Sequence, residues 1–217
     1  MKLKSLLALS SIAIAPSLQG AIVITPTGVT STSDVGDSRV IENVINGSGL
    51  TDVSDPTSVL DDSHAYNAAW YWLSASTAVA NKGTANDEVI TIDLGAAYDI
   101  DKFYYWTYER DGDRNIRTFD IAFSTDGGTT FSTPVAASTL GMADWVQGGS
   151  ARDPSFARTA TFDAQTDVTD VQLSNITNWG DTQYYALYEL RLGAVPEPSS
   201  AALLGSLGVL MLLRRRR

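Results

Sequence analysis

Apolar and polar residues alternate through the middle of the chain. Phe119, Ile121 and Phe123 are separated by Asp120 and Ala122 and preceded by Thr118, which gives a strand one buried face and one wetter face. Asp126, Gly127 and Gly128 follow, and Phe131 resumes the apolar pattern, so a hairpin is predicted there. Val89, Ile90, Thr91 and Ile92 begin a β-rich run that Gly95 stops, and residues 103–108 form a dense aromatic strand. Val171 and Leu173 alternate, as do Ala186, Tyr188, Leu190 and Leu192. Residues 25–38, rich in Thr, Ser and Gly, predict an irregular lead-in, and residues 194–200 a linker. No repeat of fixed period and no long 3.6-residue periodicity interrupts this pattern. Short strands separated by Gly, Asp, Asn and Ser turns predict an all-β antiparallel sandwich.

The two ends depart from that pattern. Lys2 and Lys4 precede the apolar residues 6–15, and small residues follow at Gly20 and Ala21, the plan of a secretory signal peptide over residues 1–20. At the other end, residues 201–213 form an apolar run without a polar stripe, closed by Arg214 to Arg217. Thirteen helical residues span about 20 Å, short of an ordinary transmembrane helix. Pro196 and Pro198 prevent the run from lengthening backwards, and the terminal arginines favour the cytoplasmic side. Val195, Pro196, Glu197 and Pro198, the apolar helix and the arginine cluster together resemble the PEP-CTERM sorting signal of Gram-negative bacteria. That resemblance covers residues 195–217 and implies an exported precursor held transiently in the inner membrane by its C-terminal helix. It further implies an exosortase-type processing enzyme as a partner, and delivery to the cell surface or the extracellular space.

Charge and cysteine content narrow the partners of the intervening domain, residues 21–194. The whole chain carries a net charge of −10; outside the two end segments 9 basic residues face 24 acidic ones, so the domain lies near −15. Nucleic acid is excluded as a partner, because its phosphates require clustered Lys and Arg. With no cysteine, the exported domain must be held by its core, with or without a metal ion, and thiol catalysis and Cys-based zinc sites are excluded. The sole histidine, His64, sits in the polar stretch 61–67 and is expected to be solvated.

Four stretches, in order, resemble the discoidin or coagulation-factor C-type domain of the galactose-binding jelly-roll superfamily. They are residues 42–50 with Asn46 and Gly47 as an early Asx-Gly loop, Ile92, Asp93, Leu94 and Gly95 as a signature strand, the hairpin of Ser124, Thr125, Asp126 and Gly127, and a closing strand at residues 188–193. The match spans residues 41–193 and lacks the disulfide of many animal members. It implies a single jelly-roll β-sandwich. It also implies a structural Ca2+ tying the early loop to the closing strand, with Asn46 and Glu189 as candidate ligands and Asp52 as a third. The residues themselves equally allow Asn46 and Gly47 to make only a tight turn, with Glu189 facing water.

Catalysis lacks its parts. A serine triad would depend on His64 alone, and no Gly-x-Ser-x-Gly elbow or phosphate-cradling glycine loop is present. No arrangement singles out two of the many carboxylates for glycosidase chemistry, so the expectation is that the chain is not an enzyme. Binding has better material. Alternation sends Tyr104, Trp106 and Tyr108 to one side of their strand and Phe103, Tyr105 and Thr107 to the other. One set belongs to the core, and the other is available to a rim that Arg110 and Arg114 adjoin. Trp70, Trp72, Trp145 and Trp179 lie beside polar loops. The candidate ligand contacts are therefore Trp106, Tyr108, Arg110, Arg114, Trp145 and Trp179, with core packing as the competing role for each ring. Carbohydrate or exopolysaccharide is the expected ligand class, and a structural matrix protein without a discrete small ligand is the alternative.

Overall fold

The computed structural model describes residues 22–51, 59–67, 69–75, 88–108, 112–142 and 155–195. Among these, the regular elements are strands and short 3-10 turns: β1 (Ile22–Ile24), β2 (Gly28–Ser31), β3 (Ser63–His64), β4 (Trp72–Leu73), β5 (Ile90–Trp106), β6 (Ile116–Ser124), β7 (Ser155–Phe156), β8 (Arg158–Asn178), β9 (Ala186–Leu187) and β10 (Glu189–Ala194). The signal-peptide segment 1–20 and the sorting residues Pro196, Glu197 and Pro198 lie outside the described residues. Val195 is within them, and its N–H donates to the Asp99 carbonyl at 2.8 Å.

Hydrogen bonding links the main strands in the order β1, β10, β5, β8, β6, with β2 also on β5, all antiparallel. The small ladders β3 with β7 and β4 with β9 lie off this path. Two strands in the main sheet are far longer than the pattern predicts, because β5 has 17 residues and β8 has 21. They remain paired around a corner. Their register breaks between Asp93 and Tyr98 and again before Lys102, so one ribbon bends and supplies strands to both layers. Gly95, which the sequence reads as a strand end, adopts φ +77° at this corner. Opposite it, Asp167 takes φ 54°, and its N–H donates to the Asp99 carboxylate at 3.0 Å.

The layers meet face to face. Phe103 of β5 packs edge-on against Phe119 of β6 at 5.8 Å, although those two strands are not hydrogen-bonded neighbours. Ile90, Ile92, Ile121, Val171 and Leu173 from one layer and Phe103, Tyr105, Leu190 and Leu192 from the other fill the resulting core. The alternation read through Phe119, Ile121 and Phe123 is the core face of β6. The hairpin after Ser124 is present, with its serine hydroxyl donating to Asp126 at 2.7 Å and accepting from the Gly128 N–H at 3.0 Å. Its return is a single bridge, Ile121 with Val135, and not a full strand. The lead-in at residues 25–38 is less irregular than its composition suggests, since it contains β2 paired along the first part of β5.

A second buried cluster covers the outer side of β5 and β10. Val59, Tyr71 and Leu73 close over Tyr104, Trp106, Tyr108 and Tyr188. Tyr71 stands 4.4 Å from Tyr108 between ring centroids, and Tyr108 stands 5.6 Å from Tyr188. Both faces of the aromatic strand are therefore interior.

Candidate functional site

At the open end of the sandwich, opposite the corner, two loops come together. The first, residues 112–115, joins the end of β5 to β6 and is fixed by a buried amide. The Asn115 side chain accepts from the Tyr108 N–H at 2.6 Å and donates to the Tyr108 carbonyl at 2.8 Å. The second, residues 179–185, leaves β8 and is fixed by Asn178. Its amide donates to the carbonyls of Asp181 and Tyr184 at 2.7 and 3.0 Å and accepts from the Gly180 N–H at 3.0 Å. The Asp113 carbonyl joins the loops, accepting the N–H groups of Trp179 and Asp181, each at 3.1 Å.

Two guanidinium–aromatic pairs stand on this frame. Arg114 lies over the Tyr184 ring at 4.9 Å, and its Nε donates to Asp181 at 2.9 Å. Arg117, exposed at the start of β6, lies over the Trp179 ring at 5.1 Å. Burial opposes ionisation of Asp181, but the Arg114 guanidinium and the N–H groups of Gln183 and Tyr184 outweigh it and hold the carboxyl below its ordinary value. Trp179, Tyr184, Arg114 and Asp181 are each half-buried, so the rim is held in place while remaining open to solvent. The indole Nε1 of Trp179 is buried without a hydrogen-bond partner among the described residues.

Of the expected ligand contacts, Arg114 and Trp179 are brought together here, and Arg110 and Trp145 lie outside the described residues. Trp106 and Tyr108 are corrected to core residues. Trp106 is 0 % exposed with its Nε1 donating to the Asp62 carbonyl at 3.0 Å, and Tyr108 is sealed by Tyr71 and Tyr188. Strand alternation separates the two faces but does not reveal that Val59, Tyr71 and Leu73 cover the outer one. Trp72 is also buried, while Trp70 is half-buried. Tyr184, Asp181 and Arg117 are rim residues that were not among the expected contacts, and Arg117 reads in sequence as no more than a surface ion-pair partner. The signal for Tyr184 and Asp181 was the turn-forming series Asn178, Gly180 and Asp181 around a tryptophan.

The expected metal ligands occupy a different place. Asn46 uses its side chain within its own turn, accepting from the Ser48 N–H at 2.7 Å and donating to Asn43 at 3.2 Å. Glu189 does not face water. Its carboxylate is 0 % exposed, accepts the Gly47 N–H at 3.2 Å on both oxygens, and pairs with the Arg191 guanidinium. Asp52 lies outside the described residues. His64, expected in solvent, is buried beneath the same loop, stacked on Tyr188 at 4.1 Å with 13° between planes. Burial holds its imidazole down to about 4, against acceptor carbonyls at Ala65 and Ser48 that favour the charged form.

Comparison with known proteins places this architecture. The family model of the F5/8 type C domain matches residues 29–190. Among solved structures the chain is similar to the family 32 CBM from C. perfringens NanJ in complex with galactose, at 14% identity and a TM-score of 0.51, covering 80% of this chain and 98% of that one. It is also similar to CBM32-3 from a family 31 glycoside hydrolase of Clostridium perfringens, at 15% identity and a TM-score of 0.50, covering 80% and 96%. Likenesses at this identity speak to the fold. Among curated proteins none matches closely enough to count as a relative. The matched stretch runs from within β2 to the start of β10 and takes in both layers and both rim loops, so the chain belongs to the F5/8 type C domain family.

Proposed function

We propose that the chain is an exported, non-catalytic binding module that recognises carbohydrate or exopolysaccharide through the rim of Arg114, Arg117, Trp179 and Tyr184. The observation that carries this reading is the convergence of two guanidinium–aromatic pairs on one end of the sandwich: Arg114 and Tyr184 from two loops each pinned by an asparagine amide, and Arg117 of β6 over Trp179 of the second loop. Ring faces suit the C–H surfaces of a sugar, and guanidinium N–H groups and a carboxylate suit its hydroxyls. Loops fixed before the ligand arrives lose little conformational freedom on binding. The likeness in fold to a CBM solved with galactose agrees with this ligand class. The signal peptide and the PEP-CTERM-like tail support export, with a precursor held at the inner membrane until exosortase-type processing.

A glycan array tests the binding role. Specific signal is expected for the wild type, and Trp179→Ala or Arg117→Met is expected to weaken it by about tenfold or more while leaving the melting temperature nearly unchanged. A blank array together with incorporation of the protein into a biofilm matrix would replace recognition with a structural role. Signal that survives both substitutions would move the site away from this rim.

A further inference from the structure

The buried contact between the early loop and the closing strand contains its own cation. Glu189 and Arg191 are two residues apart on β10 and point to the same side, where the second cluster covers them. Glu189 is 0 % and Arg191 2 % exposed, and the two are in direct contact. Arg191 Nη1 also donates to the Leu190 carbonyl at 2.9 Å, which fixes the guanidinium against its own strand. From across the chain, Gly47 directs its N–H at the same carboxylate, over a sequence separation of 142 residues.

This donor set does not fit calcium. The ion takes six to eight oxygen ligands, yet the Glu189 oxygens already receive a guanidinium and a backbone N–H, both positive ends of dipoles or charges. Asn46 keeps its oxygen on the Ser48 N–H. Among the described residues, no three Asp, Glu or His side chains gather at one point. Burial pushes the Glu189 carboxyl up to about 7, against the Arg191 guanidinium and the Gly47 N–H that favour its charge. When it is ionised the pair with Arg191 is neutral, and a divalent cation added beside it would leave positive charge in excess in a dry interior, which is strongly unfavourable.

We infer that Arg191 supplies internally the positive charge for which the family resemblance suggested calcium, so that residues 46–48 are latched to β10 without a metal ion. The latch consists of Gly47 N–H, the Glu189 carboxylate and the Arg191 guanidinium.

Thermal melts of the purified full chain, with millimolar calcium and then with excess chelator, test this directly. The two curves are expected to coincide, and calorimetric titration with calcium is expected to show no binding to the domain. A melting temperature that rises with calcium and falls with chelator would overturn the inference. Substitution tests the pair itself. Arg191→Met is expected to lower the melting temperature by roughly 10 °C by stranding a buried carboxylate. The double variant Glu189→Gln with Arg191→Met is expected to melt above Arg191→Met alone, because it removes the stranded charge. If the losses of the single variants simply add in the double variant, the two residues do not form the latch. Should Arg191→Met fail to fold, the calcium titration of the wild type and the melting of the double variant still decide the matter.

Discussion

His64 shows how much of this molecule depends on single side chains placed under loops. Its ring fills the space beside Gly49 so closely that a Cβ at Gly49 would fall 2.4 Å from Cε1. A buried imidazole with a folded value near 4 and an ordinary value of 6.5 contributes its stability in full above pH 6.5. That stability is lost as the pH falls from 6.5 toward 4, because the unfolded chain takes up the proton first, and the loss approaches about 3 kcal/mol. Denaturant melts across this range are expected to show the decline, and His64→Phe, which keeps a ring on Tyr188, is expected to flatten it. The window is distinct from that of Asp181, whose stabilising ionisation is lost only as the pH falls below 3.8. At this scale the sequence was partly legible. It marked Trp179 and Arg114 because an indole and a cation beside turn residues stand out. It misplaced Trp106, Tyr108 and His64, because burial of a strand face depends on loops distant in sequence. Nothing local to residues 103–108 records that Val59 and Tyr71 will cover them.

The bent ribbon of β5 and β8 is the element on which both layers depend. Gly95 allows the turn by its positive φ and by leaving room for Thr27, whose methyl would lie 2.5 Å from an added Cβ. Gly95→Ala is therefore expected to cost about 2–4 kcal/mol in equilibrium unfolding, from backbone strain and the collision together. Asn178 plays the corresponding part at the rim. Asn178→Ala leaves two carbonyls and one N–H without their partner and is expected to cost about 2 kcal/mol, with weaker glycan binding than wild type even where the protein remains folded. The sequence identified most of these strands through their period of two, and it read Gly95 correctly as a break in straight structure. It did not show that the chain continues as one strand beyond the break. β8 was the hardest to see, since Thr, Asp, Gln and Ser occupy most of its outward positions and its core side is marked by Ala160, Phe162, Val168, Val171, Leu173 and Ile176, spread unevenly over 21 residues.

At the scale of the whole molecule, an acidic, cysteine-free sandwich is joined to two segments that resemble addresses. If they act as addresses, cell fractionation of the native host is expected to find the chain outside the cytoplasm. The intact mass of the mature form is then expected to lack residues 1–20 and the C-terminal arginines. A surface form still carrying Arg214 to Arg217 would remove the processing step from the proposal. The all-β class and the family were legible at this scale because the turn motifs and the closing strand keep their order along the chain. The latch chemistry was not, since Glu189 and Arg191 gain their meaning only when Gly47 is folded against them.

The pairing of β1 with β10 has a consequence for orientation. Ile22 lies opposite Ala194, so the chain enters and leaves the sandwich side by side, near the corner where Ala194 meets Ile100. The rim loops lie beyond the opposite end of β10, past the pairing of Glu189 with Trp106. Six residues of extended strand, about 20 Å, separate these two poles. A chain tethered through either terminus thus hangs from one pole and turns the other outward, so that a bilayer holding the precursor would leave Trp179 and Arg117 facing away from it.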